Sequence, residues 1–144
     1  MLEIIETAEF MIIQMKKSPN AAKVIKPALT ELLRKFCDTL TVDFVSEKAE
    51  IEANKIGINL FEKQWKNQPS FDKGRKVFHM EHKYPISDMI NDMLAEPTKI
   101  EDIINSMEFG WILKTEDALL TRCNRVDHTS EYENANIMLI KKVI

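Results

Sequence analysis

Two of the three histidines in the chain flank a glutamate in the segment KVFHMEHKYPIS, residues 76–87. A histidine beside a carboxylate can act as a general base or, through its neutral imidazole, as a metal ligand. On a β-strand, successive side chains point to opposite faces, so His79 and Glu81 share one face and His82 lies on the other. The segment therefore offers a histidine beside a carboxylate for either role. The plainer alternative is a partly exposed histidine that bonds to the backbone beside a proline turn.

The third histidine, His128, lies in a polar stretch with Asp127 and Ser130. The spacing along the chain leaves open whether the three histidines converge.

The stretch VFHMEHKYPIS resembles the first strand of HNH nucleases, the ββα-metal class, which ends in an acidic residue, a histidine, two further residues and a proline. The stretch ENANIMLI, residues 133–140, is similar to the second strand of that family, which begins with an asparagine and continues with apolar residues. The resemblance implies that His82 is the general base, that Glu81 holds a divalent metal such as Mg²⁺ or Mn²⁺, and that Asn136 orients the base. In this chain His79 or His128 would have to take the place of the metal-binding histidine of the family. It implies hydrolysis of a phosphodiester, in which the metal neutralises charge on the phosphate oxygens.

The charge of the chain limits the classes of partner. Its net charge is −3, from 20 basic and 23 acidic residues, which argues against a general electrostatic grip on nucleic acid. A local basic patch remains a candidate surface for phosphate, with a flexible basic turn as the alternative. It consists of Lys73, Arg75, Lys76 and Lys83.

Cysteine usage and hydropathy indicate the compartment. Cys37 and Cys123 lie far apart and form no CxxC pair, so neither a disulfide framework nor a zinc knuckle is indicated. No apolar run approaches the roughly 18 residues of a membrane span, and the N-terminus carries glutamates where a secretory signal carries lysines. We expect a cytoplasmic protein of bacterial or viral origin with no membrane partner.

The spacing of apolar residues predicts a predominantly helical α+β fold in one domain, residues 1–144. Residues 1–68 show the 3.6-residue period of amphipathic helices, whereas residues 69–144 combine short strands with short helices. Ser46 and Ser87 are predicted to cap helices. The main predicted elements are helices at 4–17, 27–40 and 46–68 and strands at 75–82, 109–114 and 135–144, with 39–45 left open between a strand and a helix junction.

The absence of a coherent catalytic set favours a non-enzymatic interaction protein, such as an inhibitor, adaptor or assembly factor, that binds a protein partner or self-associates. Met89 and Met93, four residues apart on a predicted helix, are the candidate contact strip, with a place in the core as the alternative. This hypothesis requires no cofactor. The alternative function is a diverged HNH-like nuclease that uses a divalent metal, and a third is nucleic-acid binding through the basic patch.

Overall fold

The computed structural model describes residues 1–143 and has a predominantly helical α+β fold, which confirms the predicted class. In chain order its elements are α1 (Leu2–Met15), α2 (Pro19–Cys37), β1 (Phe44–Ser46), α3 (Glu47–Lys55), β2 (Phe78–His82), α4 (Ile86–Ala95), α5 (Ile100–Asn105), β3 (Phe109–Leu113), α6 (Lys114–Asp117), α7 (Ser130–Asn134) and β4 (Leu139–Lys141). The strand predicted at 135–144 is thus three residues long, and its last position, Ile144, lies outside the described residues.

The four strands form one mixed sheet in the order β2-β3-β1-β4, so β2 is an edge strand. β3 runs antiparallel to β2 and parallel to β1, and β4 pairs antiparallel with β1. His79 lies opposite Ile112, and Glu81 lies opposite Gly110. Because opposed residues of an antiparallel pair point to the same face, the sheet has one face that carries His79 and Glu81. We call it the site face.

The helices α1, α2, α4 and α5 enclose an apolar core beside the sheet. Its buried members recur at helical spacing, as the apolar period of α1 predicts. They are Ile5, Ala8, Ile12, Met15, Leu29, Leu33, Ile86, Met89, Ile90, Met93, Ile100, Ile103 and Ile104. A second core covers the sheet face opposite the site face, where Met80 and Trp111 pack with Cys37 from the end of α2. Within residues 1–143, no helix is both long and apolar enough to cross a membrane.

Helix α3 is shorter than the sequence predicts. Oγ of Ser46 accepts a hydrogen bond from the backbone N–H of Ala49 at 3.1 Å, which confirms Ser46 as the cap. The helix stops at Lys55 because Gly57 takes a φ of 70°, a left-handed conformation that ends helices, and two 3₁₀ turns follow. The cap predicted at Ser87 is wrong, since α4 begins one residue earlier, at Ile86.

Asp72 organises the turn that leads into β2. Its buried carboxylate accepts hydrogen bonds from the N–H groups of Lys76, Val77 and Phe78 and from Nε2 of Gln68, at 2.9 to 3.2 Å. Burial alone raises the pKa of Asp72, but the bonds from Phe78, Gln68 and the turn outweigh it and hold this pKa below its usual value. Because β2 starts at Phe78, Asp72 fixes where the strand begins.

Replacement of Asp72 by Asn is expected to lower the free energy of unfolding at neutral pH by about 3 kcal/mol, because a charged acceptor with several donors is lost. The pKa in the folded state lies below the value in the unfolded state. The ionised carboxylate therefore stabilises the protein above the unfolded-state pKa, and this contribution is lost as the pH falls through the folded-state pKa. Urea unfolding should show a stability gap between wild type and Asp72→Asn that narrows below about pH 4. A gap that does not change with pH would contradict this role.

Candidate metal centre

The site face of β2 is completed by the segment that follows β3. Helix α6 begins directly after β3, and the carboxylate of Glu116 fixes this turn, because its Oε2 accepts the last N–H of β3 at 2.9 Å and the hydroxyl of Ser46 at 2.5 Å. The next residue, Asp117, consequently lies beside His79 and Glu81. Three potential ligands from two elements thus meet at one edge of the sheet.

The ligand atoms of these three residues lie within 4.8 Å of one another. Nε2 of His79 is 3.5 Å from Oδ1 of Asp117 and 3.9 Å from Oε2 of Glu81. Both distances exceed those of ordinary hydrogen bonds, about 2.7 to 3.2 Å. They are close to the roughly 3.4 Å that separates two ligand atoms of a tetrahedral ion with bonds of about 2.1 Å. The side chains of His79 and Asp117 are 33% and 24% exposed, so the cluster is open to solvent.

The carboxylate of Glu81 is held by its other oxygen. Oε1 accepts a hydrogen bond from Nη2 of Arg125 at 2.7 Å and one from the hydroxyl of Tyr132 at 3.2 Å. The side chains of Arg125 and Glu81 are only 2% and 8% exposed, so this ion pair is buried. Burial raises the pKa of Glu81, and the charge of Arg125 acts in the opposite direction. Oε2 remains directed at His79.

Arg125 is itself fixed by backbone carbonyls and by a second carboxylate. Its Nε donates to the carbonyl oxygen of Thr121 at 2.5 Å, and its Nη1 donates to that of Lys83 at 3.2 Å. The backbone N–H groups of Asn124 and Arg125 donate to the two oxygens of Asp88 at 2.8 and 3.2 Å. The buried Asp88 at the start of α4 therefore anchors the loop that carries Arg125.

His82, the candidate general base, lies on the other face of β2, as strand alternation predicts. Its ring packs near Phe109, with 6.2 Å between the ring centroids. Burial, with smaller effects of Arg34 and His79, lowers the pKa of His82 to about 4, so its imidazole is neutral at physiological pH. Its Nε2 is buried and has no hydrogen-bond partner among the described residues. His82 therefore does not share a ligand cluster with His79 and Glu81.

Two other candidates of the predicted site lie elsewhere. Asn136 occupies a turn with a φ of 54° before β4. Within the described sheet β4 pairs only with β1, and both β3 and β1 lie between β4 and β2. The expected place of Asn136 beside His82 is thus corrected. His128 is not part of the cluster either, because its ring packs on Tyr84 with 4.3 Å between centroids.

The proposed contact strip on α4 is also corrected. Met89 and Met93 are both 0% exposed and belong to the helical core. The helix is covered by α2 and α5, so its apolar stripe is used for packing. These two methionines therefore cannot form an exposed surface for a partner.

The basic patch is dispersed over different contacts. The guanidinium of Arg75 stacks on Trp65 at 3.9 Å from the ring centroid, and Nζ of Lys83 forms an ion pair with Glu108 at 3.2 Å. Lys73 and Lys76 are exposed on the turn before β2. Arg75 and Lys83 are therefore held by contacts within the protein, whereas Lys73 and Lys76 are solvated.

Sequence patterns missed Asp117, Arg125 and Tyr132, which complete the centre, and they missed two cations nearby. A cleft of about 520 Å³ beside β2 is lined by the cluster, by His82, and by Arg34 of α2 and Arg122 of the loop before Arg125. Neither Arg34 nor Arg122 forms an ion pair in the part of the chain that the structure describes. The only signal in the sequence was the TED triplet directly after a predicted strand.

Comparison of the chain with protein-family models, with curated proteins and with solved structures finds no match. A function for this protein therefore has to be inferred from the geometry of the site.

Proposed function

We propose that this protein is a divalent-metal-dependent phosphodiesterase of the nuclease class. The observation that carries the proposal is the convergence of Nε2 of His79 with carboxylate oxygens of Glu81 and Asp117 within 4.8 Å. One imidazole and two carboxylates form a donor set suited to Mn²⁺, Mg²⁺ or Zn²⁺. A bound divalent ion supplies a water of lowered pKa and neutralises charge on phosphate oxygens.

The topology around the cluster supports the proposal. β2 and β3 are an antiparallel pair, and the short helix α6 follows β3 and carries Asp117. This is the order of strand, antiparallel strand and helix that the HNH resemblance implies, with β3 instead of residues 133–140 as the second strand. In this arrangement His79, Glu81 and Asp117 hold the metal, and His82 on the other face is not required for it.

Unpaired cations in the cleft support a phosphate-bearing substrate. Arg34 and Arg122 line the same cleft as the cluster, and neither has an ion-pair partner within residues 1–143. Arginine presents several donors in a planar fork that matches phosphate oxygens. A phosphodiester in the cleft would therefore share it with the metal and with two arginines.

The test is cleavage of supercoiled plasmid, single-stranded DNA and single-stranded RNA by the purified protein, with Mn²⁺ or with EDTA. We expect cleavage of at least one substrate with Mn²⁺ and none with EDTA. His79→Ala and Asp117→Asn each remove a ligand, so they should reduce the rate by more than about 100-fold, the upper end of losses from changes behind a metal ligand.

The controls match the ligands in residue type. His128→Ala removes a histidine outside the cluster, and Asp102→Asn removes an exposed carboxylate, so both should cleave at rates near that of the wild type. His82→Ala should retain activity if the metal alone activates water. Loss of cleavage in His82→Ala with full activity in His79→Ala would instead favour the general-base role of His82. No metal binding by the wild type, measured by Mn²⁺ electron paramagnetic resonance, would reject the proposal.

The second candidate function, an interaction protein, is favoured by a different observation. Phe10 and Ile13 are neighbours on the outer surface of α1 and are 63% and 56% exposed. Single exposed apolar residues are ordinary, but an adjacent aromatic and aliphatic pair is a reasonable contact site. Sedimentation of wild type and of the double variant Phe10→Ser, Ile13→Ser tests self-association through this surface, and equal monomeric mass for both would exclude it.

A further inference from the structure

We infer that Arg125 and Tyr132 are positioning residues of the proposed metal centre, which hold one oxygen of Glu81 so that the other is presented to the ion. The inference rests on the proposed function, because it assigns a role to two residues that the ligand set itself does not include. Neither residue belongs to the cluster of ligand atoms formed by His79, Glu81 and Asp117.

The geometry at Glu81 is asymmetric. Nη2 of Arg125 and the hydroxyl of Tyr132 both donate to Oε1, at 2.7 and 3.2 Å, whereas Oε2 has His79 as its neighbour at 3.9 Å. A carboxylate can rotate about its terminal torsion or bind through both oxygens, since this torsion is broad. Two donors on one oxygen remove that freedom and leave a single oxygen for a metal.

The two donors are rigid. Tyr132 is 2% exposed, and its ring meets that of Phe44 edge to face, with centroids 6.1 Å apart and an angle of 71°. Arg125 is held through its guanidinium by the carbonyl oxygens of Thr121 and Lys83, and through its backbone by a carboxylate of α4. Contacts from β1, from α4 and from Thr121 therefore fix the two donors that set the orientation of Glu81.

A purely structural ion pair would explain the burial of Arg125 and Glu81 but not this arrangement. The tyrosine hydroxyl adds no charge, yet it shares the same oxygen as the guanidinium. Groups behind metal ligands fix the orientation and basicity of those ligands, and their loss typically weakens metal binding 10- to 100-fold. A positioning role therefore predicts effects on metal affinity that exceed effects on stability.

The experiment measures Mn²⁺ affinity by electron paramagnetic resonance and the visible absorption spectrum of bound Co²⁺, without substrate. The variants are Tyr132→Phe, which keeps the ring, and Arg125→Lys, which keeps the charge but loses the fork. We expect Mn²⁺ affinity to fall about tenfold in Tyr132→Phe and 10- to 100-fold in Arg125→Lys, with a changed Co²⁺ spectrum in both. Thermal unfolding in EDTA identifies any variant that does not fold. If Arg125→Lys does not fold, the nearly isosteric Tyr132→Phe still tests the inference.

The matched controls are Tyr84→Phe and Arg75→Lys, since both parent residues lie outside the contacts to Glu81 and outside the lining of the cleft. Controls should bind Mn²⁺ as the wild type does. If the wild type binds Mn²⁺ and His79→Ala does not, but Tyr132→Phe and Arg125→Lys keep wild-type affinity and spectra, the inference is wrong and the proposed function stands. If the wild type binds no metal, both fail together.

Discussion

Arg125→Met should lower the free energy of unfolding by about 3 to 5 kcal/mol, because it leaves the buried carboxylate of Glu81 without its cation. Glu81 is 8% exposed at its side chain, and Arg125 supplies its shortest hydrogen bond, at 2.7 Å. Desolvation of an uncompensated carboxylate is expensive, whereas an apolar replacement of a complete pair is often tolerated. The loss also frees the loop of Arg125 from the carbonyl oxygens of Thr121 and Lys83.

The measurement is urea unfolding of four proteins in EDTA: wild type, Arg125→Met, Glu81→Gln and the double variant. In the Glu81→Gln background no carboxylate is left without its cation. Arg125→Met should therefore lower the free energy of unfolding by less than it does in the wild type. Arg122→Met, at an exposed arginine of the same loop, should change stability by no more than about 0.5 kcal/mol. Additive effects of Arg125→Met and Glu81→Gln would show that the two residues are not coupled.

Much of the fold follows from local patterns in the sequence. The 3.6-residue period of apolar positions in α1 and the cap at Ser46 depend on neighbours within a few residues, and both predictions are confirmed. The candidate contact strip on α4 is wrong, and its alternative, a place in the core, is observed, because Met89 and Met93 pack with α2, which is distant along the chain, and with the following helix α5. A helix covered on several sides has the same methionine spacing as one that presents a contact strip.

Only part of the candidate site can be predicted from local patterns in the sequence. The pairing of His79 with Glu81 on one face follows from strand alternation, a property of adjacent residues. Asp117 joins them only through the β2–β3 register, and the contacts of Arg125 and Tyr132 with Glu81 span 44 and 51 positions of the chain. Asp88 illustrates the same limit, because it is buried and its hydrogen-bond partner Asn124 lies 36 positions further along the chain.

Gly110→Ala should destabilise the protein by about 3 kcal/mol or more, since it forces extra volume into a filled interior. Gly110 lies opposite Glu81 in the sheet and beside Phe44 of β1. A Cβ at this position would overlap both the carbonyl oxygen and the ring of Phe44, at separations that real Cβ atoms do not show. The backbone of Gly110 does not have a positive φ, so the penalty is steric and does not come from strain.

The matched control for this prediction is Gly57→Ala. Gly57 has a φ of 70° and nothing within 4 Å of an added Cβ, so its replacement should cost only the roughly 1 kcal/mol of a left-handed alanine. Gly110→Ala should also weaken Mn²⁺ binding, because displacement of Phe44 moves the ring against which Tyr132 packs, and Tyr132 holds Glu81. Equal destabilisation by the two substitutions, measured by thermal unfolding, would mean that β1 and β3 can separate to admit a side chain. The close approach of these central strands would then not be what sets the position of the site.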